Sequence, residues 1–188
     1  MNHHTVTIRL RMPVREDGAA VWKLIRDAGT LDLNSAYCYL LLSDHFRSTC
    51  LVAEDDKGIC GFISAFRCPD RPDTLFVWQI AVAPSRRRRG LGRKLLKTLL
   101  SGAACREIRY VEATVGPSNL ASRGLFLRTA HEYGTECRLS AGYPASMFPA
   151  DKAHEEELLI RFGPLPKQSE REHDEKRDLI QTTRGSSH

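Results

Sequence analysis

Leu75-Phe76-Val77-Trp78-Gln79-Ile80-Ala81-Val82 is apolar at all but one position and contains no turn residue. A strand without polar alternation has to be covered on both faces, so it belongs inside a sheet with helices on each side. The next two segments of the chain narrow the choice. Pro84 to Gly90 reads as a loop. Leu91 to Ala103 reads as a helix with Leu91, Leu95, Leu96, Leu99 and Leu100 inward and Arg93, Lys94 and Lys97 outward. A buried strand that feeds a basic, glycine-containing loop and then a helix aims backbone N–H groups and a helix dipole at an anion. Gly90 and Gly92 let the backbone approach that anion with no Cβ in the way, while Arg87, Arg88 and Arg93 add charge for phosphate. This is not a Walker loop, because G-x-x-x-x-G-K-[ST] is absent. It is not a dinucleotide fingerprint either, because Leu95 stands where a third glycine is needed.

The rest of the chain supplies the partners of that strand. Val6 to Met12 alternates as an opening strand. Ala19 to Ala28 reads as a helix ended by Gly29, and a second helix runs from the Asp32 region to about Ser43. Cys50 to Glu54 and Ile59 to Phe66 form a hairpin across Asp55-Asp56-Lys57-Gly58. Ile108 to Val115 is a strand, Ser118 to Tyr133 a helix capped by Ser118 or Asn119, and Glu156 to Phe162 a closing strand. Cys137 to Pro149 reads as mostly loop. The order β-α-α-β-β-β-α-β-α-β implies an α/β fold with one mixed sheet and helices on both sides. Residues 1–164 are expected to form one domain. The apolar-poor stretch from Leu165 to His188 is expected to be a solvated tail, with Arg184 to His188 an appended end.

Charge excludes a nucleic-acid-coating protein. The chain of 188 residues carries net +5, yet seven basic residues lie between Arg86 and Lys97, and the remainder is net negative. The basic cluster holds no aromatic residue of the kind that stacks on bases. No apolar run approaches the roughly 20 residues that span a bilayer. The six cysteines (Cys38, Cys50, Cys60, Cys68, Cys105, Cys137) show neither C-x-x-C pairing nor metal-ligand spacing with histidine, so they are expected to be reduced and buried, and no metal is expected. With no signal-like apolar segment near Met1, a cytoplasmic protein is expected.

Two motifs carry a resemblance. Arg87 to Gly92, R-x-x-G-x-G behind Ile80-Ala81-Val82, resembles the acetyl-CoA pyrophosphate loop of the GNAT N-acetyltransferase superfamily. Asn119 to Phe126 resembles that superfamily's N-x-x-[AS]-x-x-L-[YF] motif. Longer stretches are similar to one family within it, the L-2,4-diaminobutyrate acetyltransferases, which make the γ-N-acetyl precursor of the compatible solute ectoine. They are Leu31 to Leu42 (L-D-L-N-S-A-Y-C-Y-L-L-L), Arg71 to Gln79, Glu112 to Asn119, and Phe148-Pro149 with His154 to Glu157.

The resemblance implies a GNAT fold, acetyl-CoA as co-substrate, a small diamino acid as acceptor, and a homodimer. The apolar segment Tyr143 to Phe148 also favours a dimer. It implies direct transfer, with the thioester against the backbone of Ile80, Ala81 and Val82, where an N–H can stabilise the oxyanion, and Asn119 on the cofactor side. The acceptor's γ-amine is almost wholly protonated near neutrality, given a lysine-like pKa of about 10. The site must therefore hold a cation and remove a proton, and carboxylates suit both tasks. Glu157 and Glu112 are the candidate bases. Asp32, Asn34, Tyr37, Trp78 and His154 are the candidate acceptor contacts, although Asp32 can also be read as the cap of the second helix. Phe126 stands where many GNAT enzymes have a tyrosine that protonates the departing thiolate, so that general acid is not carried over. Another small amine, such as a polyamine or an aminoglycoside, is the alternative acceptor.

Overall fold

In the computed structural model, which describes residues 7–150 and 154–167, seven strands form one sheet in the order β1-β2-β3-β4-β5-β7-β6. The strands are β1 (Arg9–Arg11), β2 (Cys50–Asp55), β3 (Gly58–Cys68), β4 (Arg71–Val82), β5 (Tyr110–Val115), β6 (Cys137–Tyr143) and β7 (Glu157–Phe162). The helices are α1 (Gly18–Ala28), α2 (Ala36–Asp44), α3 (Leu91–Ser101) and α4 (Leu120–Glu132). Only the β4–β5 pair is parallel, so the sheet is mixed as expected.

The two apolar faces of the sheet make two cores. On one side Leu91, Leu95, Leu96, Leu99 and Leu100 of α3 and Phe126 and Ala130 of α4 pack on Leu75, Val77, Val111, Ala113 and Ile160. On the other, Val21, Leu24, Ile25 and Ala28 of α1 and Tyr39 and Leu42 of α2 pack on Cys50, Val52, Phe62 and Ala81. The inward leucines of α3 recur at helical spacing, which is why that helix was legible. Gly29, at φ 63°, ends α1 in the left-handed conformation that the sequence assigns it.

Four expectations are corrected. Cys137–Tyr143 is a strand, not loop; every residue in it after Cys137 is exposed, so it has no buried face to impose alternation. β4 begins at Arg71 and takes in Pro72, tolerated where the strand starts. The second helix starts at Ala36, and Ser35 caps it through the Cys38 N–H, so Asp32 is not its cap. Leu165 is fully buried in the α3/α4 core and its N–H donates to the Arg109 carbonyl at 2.6 Å, so the domain extends past residue 164. Residues 168–188 of the expected tail, and Val6 at the start of the opening strand, lie outside the described residues. Of the cysteines, Cys50, Cys60 and Cys105 are buried and Cys38, Cys68 and Cys137 are only partly so; all six are free.

Candidate active site

The site begins with a fault in the sheet. β4 and β5 pair only from Thr74↔Tyr110 to Phe76↔Glu112, and beyond that they diverge. On the opposite edge of β4, Val77 pairs with Ala65 and Gln79 with Ser64, which leaves Trp78 as an extra, bulged residue. A bulge bends its strand and reverses which residues face each side. Accordingly Leu75 and Val77 face the α3/α4 core before it, and Ile80 and Val82 pack against that same core after it. The backbone of residues 77–82 that faces β5 thus has no strand partner, and its N–H groups are available to a ligand in the opening. The sequence reading did not anticipate the bulge. It also placed the strand under cover on both faces, whereas Trp78 is 42% exposed at the opening.

A cleft of about 1540 Å³ lies along this opening. Asp32 enters it from the α1–α2 connection, Trp78 from β4, Thr114 from β5, and His154 and Glu157 from the β6–β7 connection and the start of β7. His154 is the hub. Its Nε2 lies 3.3 Å from Asp32 Oδ2 and its Nδ1 2.6 Å from the Glu155 carbonyl oxygen, and its ring stacks on Phe148 at 3.8 Å. Both partners are acceptors, so these contacts favour hydrogen on both ring nitrogens, which is the imidazolium form. The bond to the Glu155 carbonyl, with Asp32 behind it, raises the His154 pKa in keeping with that. Glu157 is half-buried. Burial raises its pKa, the His154 charge and a Thr114 hydrogen bond pull it back, and Asp32 and Glu155 push it up again; the net shift is upward.

Glu112 is different. Arg71 holds it in a bidentate pair at 2.5 and 2.9 Å, and Arg161 donates to the same carboxylate. Burial would raise its pKa, but the two guanidinium groups outweigh burial and lower it. A carboxylate held ionised by two arginines is a poor proton acceptor. The pairing of Glu112 therefore argues against its candidacy as a base, and its visible task is to hold Arg71 and Arg161 at one end of the cleft.

Asn34 lines the cleft, but Tyr37 stands 67% exposed on the first turn of α2 and is not among the cleft residues. Several contributors were missed from sequence. Thr114 sits on the same strand face as Glu112, and that alternation could have flagged it. Phe148 and Glu155 gave no local signal. Glu155 accepts from the Ser118 N–H at 3.1 Å and from the Ser118 hydroxyl, tying the His154 segment to the approach of α4.

On the other side of β4 lies the loop expected to take phosphate, and most of its arginines are engaged within the protein. Arg88 at φ 59° and Gly90 at φ 74° are left-handed, and the first bond of α3 runs from the Lys94 N–H to the Gly90 carbonyl. The N–H groups of Leu91, Gly92 and Arg93 therefore lack intrahelical acceptors, and no side chain caps them. Those donors suit a pyrophosphate. Gly92 serves a second purpose that the sequence did not reveal. A Cβ there would lie 3.0 Å from Leu125 Cδ1 and close to Ile80 and Val82, so its bareness lets α3 pack. Arg87 donates to the carbonyls of Val82 and Ala28, at 3.2 and 2.6 Å, and Arg93 pairs with Glu132 at 2.6 Å. Among the described residues Arg88 has no such tie. Asn119 caps α4 through the Ser122 N–H at 3.1 Å. Phe126 is buried in the core, so no hydroxyl is offered there. Burial pushes the Cys50 thiol up to about 12, which leaves it inert as a nucleophile.

The model of the acetyltransferase (GNAT) family matches residues 19–131. The chain is 47% identical over 161 residues to an L-2,4-diaminobutyric acid acetyltransferase of Shouchella clausii, covering 86% of this chain and 89% of that one. It is 46% identical over 157 residues to its counterpart in Bordetella parapertussis, covering 83% and 84%. Among solved structures it is similar to the diaminobutyrate acetyltransferase of Paenibacillus lautus in complex with its substrate L-2,4-diaminobutyric acid and coenzyme A. The TM-score is 0.83 at 51% identity, over 85% of this chain and 96% of that one.

Proposed function

The chain belongs to the acetyltransferase (GNAT) family, and from that premise we propose that it transfers acetyl from acetyl-CoA to the γ-amine of L-2,4-diaminobutyrate. The observation that carries the reading is the convergence of Asp32, His154 and Glu157 on the opening where β4 leaves β5. A diamino acid brings two ammonium groups and one carboxylate. Asp32 offers an acceptor for an ammonium group, and imidazolium at His154 offers a cation near the carboxylate. Trp78 flanks the methylenes.

In the mechanism, the unpaired N–H groups of α3 and its loop take the pyrophosphate, and the β5-facing backbone of β4 lines the thioester. Glu157 takes a proton from the γ-ammonium. Its raised pKa makes it a better match to that task than an ordinary carboxylate. The freed amine attacks the thioester carbonyl carbon, and a β4 backbone N–H stabilises the oxyanion. The C–S bond then breaks, the nitrogen's remaining excess proton passes to solvent, and CoA leaves as thiolate, which suits a thiol pKa of about 8.5 and the apolar Phe126. The product would be the ectoine precursor N-γ-acetyl-diaminobutyrate.

The same reading includes a homodimer and a cytoplasmic setting. Leu139 and Tyr143 on the edge strand β6, with Met147 after it, are exposed apolar side chains that a second copy would cover. Six free thiols accord with a reducing compartment. Among the described residues no helix is long and apolar enough to cross a membrane. The direct test incubates the protein with acetyl-CoA and L-2,4-diaminobutyrate and identifies the product by tandem mass spectrometry. A mono-acetylated product labelled at Nγ supports the reading; acetylation of a polyamine or an aminoglycoside in preference would replace it.

A further inference from the structure

The carboxylate of Asp32 poses a problem of placement. Its side chain is 88% exposed, so no packing fixes it, and residues 29–35 around it have no regular structure. Yet Asp32 meets His154, 122 residues away in the chain, at 3.3 Å. Something other than its own surroundings must hold the connection in place.

The backbone anchors answer this. At the start of the connection, Arg87 grips the Ala28 carbonyl at 2.6 Å. In its middle, Gln79 Nε2 donates to the Asp32 carbonyl oxygen at 2.9 Å. Gln79 Oε1 in turn accepts from the Tyr39 hydroxyl at 3.2 Å, and the Tyr39 oxygen accepts from the Asn34 N–H at 3.3 Å. Tyr39 is fully buried and Gln79 nearly so. The direction of the chain is forced. A carbonyl oxygen and a backbone N–H have one role each, so the Gln79 amide has one orientation and the Tyr39 hydroxyl one sense. A buried phenol and a buried amide are costly unless satisfied, and here each satisfies the other while its free end takes the backbone of the connection.

Gln79 also comes directly after the bulged Trp78 and precedes Ile80 on the strand that lines the thioester. We propose that the Tyr39–Gln79 pair is a positioning device that sets Asp32 against the reacting end of β4, so that acceptor binding depends on two residues that do not themselves touch the acceptor. This rests on the reading that Asp32 holds the cationic acceptor. Geometry carries the proposal: two residues on α2 and β4 hold the Asp32 carbonyl and the Asn34 N–H along one directed run of hydrogen bonds.

The test is a mutant cycle with acetyl-CoA and L-2,4-diaminobutyrate. Tyr39→Phe removes only the hydroxyl, and the acceptor KM is expected to rise about 3–10-fold, the effect of one neutral hydrogen bond. The acetyl-CoA KM and kcat should stay within about twofold. In an Asp32→Asn background the same change should move the acceptor KM by less than about twofold, because the group being positioned is already impaired. Gln79→Glu is the second arm: it still accepts from Tyr39 but, ionised, cannot donate to the Asp32 carbonyl, and it should raise the acceptor KM at least as much. An undiminished rise in the Asp32→Asn background overturns the proposal, as does an equal rise in both substrates' KM. If Tyr39→Phe does not fold, Gln79→Glu decides alone by the same criteria. A parent enzyme that does not acetylate L-2,4-diaminobutyrate overturns the acceptor reading and this proposal with it. An active parent with a flat acceptor KM in both variants overturns only the positioning role.

Discussion

The phosphate loop and the acceptor cleft lie on either side of one strand and are built in opposite ways. The loop is a single stretch of chain that offers backbone N–H groups as its proposed ligands, and most of its arginines are engaged elsewhere: Arg86 with Asp55, Arg87 with carbonyls, Arg93 with Glu132. The cleft is assembled from side chains on four separate segments, around Asp32, Trp78, Thr114 and His154–Glu157, and its chemistry comes from how those charges perturb one another. A contiguous backbone site tolerates changes in its side chains; a convergent side-chain site should not.

The largest expected effect is within the cleft, between its two glutamates. Glu157→Gln removes the proposed base and should lower kcat by roughly 10²–10⁴. It should not lower the melting temperature, because folding raises this pKa and the ionised form is disfavoured in the folded state above it. Glu112→Gln should do the reverse. Activity should stay within a few-fold, while stability falls by roughly 1.5 kcal/mol, the low end for a hydrogen-bonded charge because Arg71 stands half in water. Since the Glu112 pKa is lowered by folding, its contribution is present above the ordinary glutamate value and is lost as pH falls through the lowered one. Melting curves of parent and Glu112→Gln should therefore converge in acid. Full kcat in Glu157→Gln would erase the distinction between the two carboxylates.

Next in size is the separation of the two substrates. Asp32→Asn should raise the acceptor KM by about 10–100-fold, the range for one charged hydrogen bond, with the acetyl-CoA KM unmoved. Gly92→Val should act on the other half. Its methyl groups would press on Leu125 and displace α3, at a cost of about 1–3 kcal/mol, raising the acetyl-CoA KM and lowering the melting temperature together. Steady-state kinetics with each substrate varied in turn checks both. If either variant shifts both KM values alike, the halves are not independent.

The same contrast explains what could be read in advance. The α3 leucines, the Gly29 stop and the loop from Arg87 to Gly92 are local patterns, and each stands where the sequence indicated. The candidate acceptor residues come from resemblance, not from pattern: Asp32, His154 and Glu157 are ordinary surface residues until the fold brings them together. Glu112 shows the limit of that route. Its strand position is legible, but Arg71 and Arg161 lie 41 and 49 residues away, and only their meeting argues against it as the base. The edge strand Cys137–Tyr143 was hidden for a simpler reason. An exposed strand has no core face, and Gly142 and Pro144 look like loop. Leu165 reads as tail because the stretch after it is mostly polar, although it fills a place in the core.

The smallest effect is the most discriminating, because it reads charge coupling inside the cleft without removing the base. If Glu157 must be ionised to take the proton, the fall of kcat toward acid tracks its pKa, above the ordinary carboxylate range. Asp32 raises that pKa and His154 lowers it. Asp32→Asn should therefore move the acid limb of the kcat profile to lower pH, and His154→Gln should move it to higher pH. Arg93→Gln, on the phosphate side and paired with Glu132, should leave the limb in place. The shifts are modest, because salt and water screen charges at the mouth of an open cleft, so the profiles are best measured at low and constant ionic strength with saturating acceptor. Opposite movements from Asp32→Asn and His154→Gln would show Glu157 titrating between an anion and a cation. Movement in the same direction, or none, would mean that the proton is taken by another group, and the contrast between a backbone site and a charge-coupled one would lose its acceptor half.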